Sequence, residues 1–225
     1  MSRPDSATAA VAESVAAFRR GEPVLIHDAA DREGETDLVY PAHAVDAAAV
    51  RRLRADAGGL VCVALSDTVA EAWDLPFMQE IVDHPAAAGH ELAYDERSSF
   101  SLSVNHRDTF TGITDDDRAL TIARLGEAAR VPESIDFAAE FRAPGHVHLL
   151  RAAPSAGDRQ GHTELALLLA DAADQPLAAV VCEMLDDETG GALSPEDARA
   201  YARRHGFAYV EGTDLLARLA ESSRI

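Results

Sequence analysis

A layered α/β sandwich, with one central sheet covered by helices on both faces, is the fold class this sequence predicts. Three observations predict it. Short apolar runs with strand character alternate with amphipathic stretches of helical period along the whole chain. The 225 residues, 47% of them hydrophobic, suffice for one sizeable core. No internal repeat or low-complexity linker interrupts the alternation, so one domain is expected over residues 1–225.

The elements follow in order. Residues 8–20 (TAAVAESVAAFRR) have the spacing of an amphipathic helix closed by Gly21, and a buried strand follows at 23–27. Next come an acidic stretch, a helix over 45–57 ended by Gly58-Gly59, a strand over 60–65 and a short helix over 67–73. Residues 76–98 mix Pro, Gly and His without a clear period and read as a long surface excursion. SFSLSV at 99–104 alternates as a strand. The three aspartates before ALTIARLGEAA open a helix, since acids favour the positive end of its dipole. Asp115, Asp116 and Asp117 are therefore read as a solvent-facing helix start with no part in catalysis. A strand over 147–150, a helix over 163–173, a strand over 177–184, a helix over 195–205 and a last short strand and helix complete the chain.

Charge and composition exclude several function classes. Thirty-nine acidic against 20 basic residues give a formal charge of −19, which repels a phosphate backbone over most of the surface, so nucleic acid is not an expected partner. All 20 basic residues are Arg. Without lysine there is no Schiff base, no pyridoxal phosphate anchored in the usual way and no P-loop lysine. Acid excess without lysine fits a halophilic protein, with GC-rich coding bias as the alternative source of the arginines. Cys62 and Cys182 each lie inside an apolar run and read as small buried hydrophobes of a reducing compartment. No stretch approaches the roughly 18 apolar residues of a membrane span, and a cytoplasmic location without membrane contact is expected.

Two stretches carry most of the chemical signal. In DREGETD, residues 31–37, Asp31, Glu33, Glu35 and Asp37 fall at every second position. An extended segment would put all four on one face, where a divalent cation, an arginine such as Arg32, or solvent and salt must separate them. In RQGHTELALLLADA, Arg159, Gly161, His162 and Thr163 precede a helical run. Helix N-termini bind anions, so a phosphate cradle is one reading. A helix capped by Thr163, with Glu164 neutralising the dipole, is the other. His162 beside such a cradle either hydrogen-bonds the anion or ligates a metal; joined to Glu33 or Glu35 it would suit Mg²⁺ or Mn²⁺ rather than structural zinc.

Two further places stand out. His146 and His148 share a face of a strand, a weak zinc signal without a third ligand and better read as a catalytic base or a surface pair. Glu183 sits inside VVCEML, where a carboxylate without a partner is costly; a functional carboxylate at a strand end in a cleft is the favoured reading. Thr111 and Gly112 in FTGIT suit a tight turn lining a cleft.

Taken together, DREGETDLV, SSFSLSVNHRDTFTGITDDDRALTI, APGHVHLLRA, DRQGHTE and VVCEM resemble, in that order, the 3,4-dihydroxy-2-butanone 4-phosphate synthase family. DREGETD is similar to the archaeal, monofunctional branch; Gly34 and Thr36 stand where bacterial members carry Asn and Gly. The resemblance implies an α+β three-layer sandwich with a mixed β-sheet flanked by helices. It implies a lyase of riboflavin biosynthesis that converts ribulose 5-phosphate to 3,4-dihydroxy-2-butanone 4-phosphate and formate. Mg²⁺ (or Mn²⁺), no organic cofactor, and a homodimer with active sites at the interface are implied as well. A divalent ion bridging vicinal oxygens would replace the missing Schiff base as electron sink.

Carried over by position, Glu33 and His162 are the implied metal ligands, with Glu35 a further one. Arg32, Glu33, Asp37, Thr111, Arg159, Gly161, His162, Thr163 and Glu183 are the implied substrate contacts. His146 and Glu183 are the implied proton-transfer pair, with Asp28 an additional base. No room for a fused cyclohydrolase domain is seen, so one activity is expected. Two other readings stand beside this one: a metabolite-binding module that kept the cradle and lost turnover, and a metal-dependent sugar-phosphate aldolase.

Overall fold

The computed structural model describes residues 6–28, 34–87, 97–154 and 161–219. Helix α1 (Ser6–Arg19) leads into strand β1 (Val24–His27), which pairs antiparallel with β2 (Thr36–Pro41). Helix α2 (Ala47–Asp56) starts where the Asp46 carboxylate accepts the Ala49 N–H, and is followed by β3 (Cys62–Leu65). Ser66 caps α3 (Asp67–Ala72) in the same way, and α4 (Met78–Ile81) leads to β4 (Phe100–His106). Thr114 caps α5 (Asp115–Ala128), and α6 (Phe137–Glu140) runs into β5 (Phe141–Arg151). The chain finishes with α7 (His162–Ala172), β6 (Ala178–Val181), α8 (Pro195–His205), β7 (Ala208–Glu211) and α9 (Gly212–Leu219).

The strands form one sheet in the order β4-β5-β3-β6-β2-β1-β7. β3 with β5 and β1 with β7 are parallel, and the remaining pairs antiparallel, so the sheet is mixed. Both faces are buried. Leu25, Leu38, Val63, Val104, Leu149 and Val180 pack against Val50 and Leu53 of α2, Ile122 and Leu125 of α5, and Tyr201 of α8. On the other side Ile26, Val39, Cys62, Ala64, Val181 and Val210 meet Phe18 of α1, Leu165 and Leu169 of α7, and Leu215 of α9. A sheet covered twice needs apolar residues at both parities, which is why its central strands read as continuous apolar runs. The architecture is the expected α+β three-layer sandwich.

Several boundaries differ from the sequence reading. The strand expected over 60–65 begins at Cys62, and the one expected over 177–184 is confined to Ala178–Val181, leaving Glu183 beyond the regular ladder. β5 is far longer than 147–150. Its first half, with Arg142, Pro144 and Gly145, runs along β4 through two register shifts. Within the excursion at 76–98, α4 and a 3-10 turn at Pro85–Ala87 form; residues 88–96 lie outside the described set. The acidic stretch is not one extended segment. Gly34 has φ +66 and strand geometry starts only at Thr36, so the alternation that would place four carboxylates on one face does not run through Gly34.

Candidate active site

Parity in the sheet gathers the chemistry. Cys62 pairs with His148 on one side and with Val181 on the other, so these three side chains leave the same face, the one covered by α1, α7 and α9. His146, two positions before His148, and Glu183, two positions after Val181, keep that parity: their neighbours Val147, Cys182 and Met184 belong to the opposite core. Asp37 forms an isolated antiparallel bridge with Glu183 and also pairs with Ile26. β5 runs parallel to β3 and β6 runs against it. His146, Glu183 and Asp37 therefore lie at the same end of the sheet.

Helix α7 begins over that end. A Cβ on Gly212 would lie 2.6 Å from Leu165 Cδ1 and 3.2 Å from the His27 carbonyl, which fixes the first turn of α7 against the ends of β1 and β7. Thr163 is buried and His162, the first helical residue, half-buried. The capping differs from the sequence reading: Gly161, not Thr163, is the N-cap, and Thr163 lies inside the helix. Glu164, 2% exposed, does more than meet the dipole. Its carboxylate accepts the Gly161 N–H at 3.2 Å and the Ala153 N–H at 3.0 Å, fastening together the two ends of residues 155–160.

The acidic stretch is fastened in a similar way. The Asp28 N–H donates to the Glu35 carbonyl at 2.9 Å, and His27 Nδ1 lies 3.1 Å from the Thr36 hydroxyl, so β1 and β2 clamp both ends of the connection. Asp28 and Asp37 are buried and Glu35 is half-buried. Arg32, Glu33 and Arg159 lie outside the described residues. Among the described residues no group of three His, Cys, Asp or Glu side chains is placed to hold a metal ion. Glu35 and His162 nonetheless supply carboxylate oxygen and imidazole nitrogen, a donor set suited to a hard divalent ion.

His146 is held by a residue the sequence reading passed over. Its backbone N–H donates to Asn105 Oδ1 at 2.9 Å, and its ring Nδ1 lies 3.2 Å from Asn105 Nδ2. Thr111 and Gly112 do form a tight turn, packed against the same Asn105. The turn is organised by Asp117, whose carboxylate accepts the N–H groups of Phe110, Thr111 and Gly112 at 3.2, 3.1 and 2.8 Å and the Thr111 hydroxyl at 3.2 Å. These bonds, that from Gly112 foremost, hold the Asp117 carboxyl below its ordinary range. Asp117 is thus more than a solvent-facing helix acid. Asp115 in turn pairs with Arg54 at 2.9 Å and with Arg118 at 3.3 Å.

Cys62 also gains meaning from its place. Burial first, then the charges of Glu183, Cys182 and Asp37, raise its thiol far above the ordinary range, so it stands protonated in the floor between the histidines and the carboxylates. Burial alone lowers the pKa of His148, whose ring meets Phe100 edge-on at 5.8 Å. Nothing in LVCVAL distinguishes Cys62 from an ordinary core thiol; strand pairing does.

Fold and site together define a class: α+β enzymes whose carboxylates, imidazoles and helix N-terminus meet at one end of a mixed sheet. The chain belongs to the 3,4-dihydroxy-2-butanone 4-phosphate synthase family, whose model matches residues 12–218, and the enzymes of this family make a riboflavin precursor. It is 48% identical over 217 residues to the 3,4-dihydroxy-2-butanone 4-phosphate synthase of Archaeoglobus fulgidus, covering 91% of each chain. To the enzyme of the same name from Methanothermobacter thermautotrophicus it is 44% identical over 215 residues, covering 92% of this chain and 94% of the other. A solved structure of 3,4-dihydroxy-2-butanone 4-phosphate synthase in complex with two magnesium ions superposes with a TM-score of 0.80 at 30% identity, covering 94% of this chain and 97% of that one.

Proposed function

We propose that this chain converts D-ribulose 5-phosphate to L-3,4-dihydroxy-2-butanone 4-phosphate and formate, as a single catalytic domain in a cytoplasmic homodimer. The observation that carries the reading is the meeting of Asp37, Glu183 and His146 on one sheet face beside the start of α7. Enolisation, dehydration, skeletal rearrangement and loss of C4 each move protons, and a carboxylate and an imidazole on one face are the groups to move them. His146 and Glu183 take these roles, with Asp28 an additional base at the mouth of the acidic connection.

His162 and Thr163 in the first turn of α7, together with Arg159, receive the phosphate, because first-turn N–H groups of a helix lack intrahelical acceptors, and Gly161, whose own N–H is taken by Glu164, permits close backbone approach. Arg32, Glu33, Asp37 and Thr111 line the sugar. Glu33 and His162, with Glu35 beside them, would hold a magnesium or manganese ion, which when bound supplies a Lewis acid for vicinal substrate oxygens. The two magnesium ions in the structural relative's complex support a divalent ion as the metal. No organic cofactor is required by this chemistry.

The dimer is supported by apolar side chains exposed around the same end of the sheet. Phe110, at 92% exposure, and Ile113 flank the turn against Asn105, while Leu60 lies just before β3 and Leu185 two residues beyond Glu183. Among the described residues no helix is long and apolar enough to cross a membrane.

Incubation with ribulose 5-phosphate and Mg²⁺, with and without chelator, tests the reading by formate release. Metal-dependent formate is the expected result. Binding of the sugar phosphate without formate would identify a module that lost turnover, and a triose phosphate product would identify an aldolase.

A further inference from the structure

Asn105 is 4% exposed at the end of β4, in a slot that only glycines could leave open. A Cβ on Gly112, which has φ +90, would lie 2.0 Å from Asn105 Nδ2, and a Cβ on Gly145 would lie 1.9 Å from the Val104 carbonyl carbon and 2.3 Å from Asn105 N. The amide is therefore clamped between the FTG turn and the strand that carries His146. Its orientation is fixed by chemistry as well. The His146 backbone N–H can only donate, so the atom facing it at 2.9 Å must be the amide oxygen, which leaves the NH₂ group 3.2 Å from ring Nδ1.

We propose that Asn105 is a positioning residue that sets the tautomer of His146: its NH₂ donates to Nδ1, so the neutral ring carries its proton on Nε2 and meets substrate as a hydrogen-bond donor. Of the two amide atoms Nδ2 is the nearer to Nδ1, at 3.2 Å against 3.3 Å for Oδ1, and a ring that donated from Nδ1 to the second lone pair of Oδ1 would take this acceptor from the buried NH₂. A ring nitrogen that accepts on one side must carry its hydrogen on the other. The consequence deepens the proposed function and rests on it. In the enolisation His146 acts on the acid side, donating from Nε2–H to the substrate carbonyl oxygen, while the carbon-bound proton passes to a carboxylate; the C–H pair forms the new C=C bond and the C=O π pair moves onto that oxygen.

The test is nitrogen NMR of the full chain labelled with ¹⁵N-histidine, at a pH where the rings are neutral, with the His146 signals assigned by their loss in His146→Gln. The wild type is expected to show protonated Nε2 and bare Nδ1. Asn105→Asp, which has no donor, is expected to move the proton to Nδ1 and to lower kcat for formate release by about 10²-fold or more while KM stays unchanged. Asn105→Ala, which removes both partners, is expected to give a mixture of tautomers. Wild-type protein with protonated Nδ1, or a folded Asn105→Asp or Asn105→Ala protein that keeps the wild-type tautomer, would overturn the proposal. If Asn105→Asp does not fold, the wild-type spectrum and Asn105→Ala decide. The tautomer is read without substrate, so a wild type that releases no formate would refute the proposed reaction and leave this result standing.

Discussion

Asp37 and Glu183 face each other across an isolated antiparallel bridge, where β2 continues past the end of β6. Both side chains leave the face covered by α7, and Asp37 is 1% exposed. Two carboxylates brought to one sheet face beside His146 are placed to act together on a bound substrate. Glu183→Gln is expected to cut formate release by about 10²-fold or more. Its melting temperature should stay close to that of the wild type, because the amide has the shape of the carboxylate it replaces. Formate assay and thermal melt on the same preparation check this. Full activity with a lowered melting temperature would make Glu183 structural.

Glu164 should behave differently. Glu164→Ala leaves the N–H groups of Gly161 and Ala153 without their shared acceptor, and an unsatisfied buried donor costs about 1–3 kcal/mol. The expected loss of stability is of that order. KM for the sugar phosphate should rise more than kcat falls, since Arg159 lies on the connection that Glu164 closes. Denaturant unfolding with steady-state kinetics measures both, and an unchanged KM would detach Glu164 from phosphate binding.

Asp117 gives an acid-side signature. Three backbone N–H groups favour its ionised form, so its folded pKa lies below its ordinary value of 3.8. The stability it contributes is complete above that value and is lost as pH falls through the folded pKa. Melting temperature measured from pH 6 down to 3 should therefore fall less steeply in Asp117→Asn than in the wild type. Identical slopes would show that the FTG turn does not depend on this charge.

The net charge of −19 sets a salt response. Added salt shortens the Debye length from about 10 Å at 0.1 M to about 3 Å at 1 M, weakening self-repulsion across the acidic surface. The melting temperature should rise as KCl is raised from 0.1 to 1 M. A fall over that range would show that surface ion pairs such as Arg54–Asp115 outweigh the repulsion.

What could be read in advance, and what could not, divides along the range of the forces involved. Helix starts at Asp46, Ser66, Thr114 and Ser194 rest on a side-chain oxygen three residues from the N–H it accepts, a relationship contained within one turn. The apolar runs of β1, β3 and β6 mark strands buried on both faces, and the motif series shared with the synthase family points to Glu183, His146 and His162 by position alone. Asn105 carried no such mark: an asparagine at a strand end reads as a turn residue until β5 brings His146 against it. Cys62 read as core, and Asp117 as a solvated acid, for the same reason.

The sequence by itself determined the three-layer class, the absence of lysine chemistry and the set of acids and histidines available, because composition and short periodicities act within a few residues. Tertiary structure alone decided that Glu164 fastens Gly161 to Ala153, that Gly34 breaks the row of carboxylates, and that Asn105 holds His146 from 41 residues away. Such contacts depend on strand order and register, which the packing of the whole core selects and no local stretch of chain encodes.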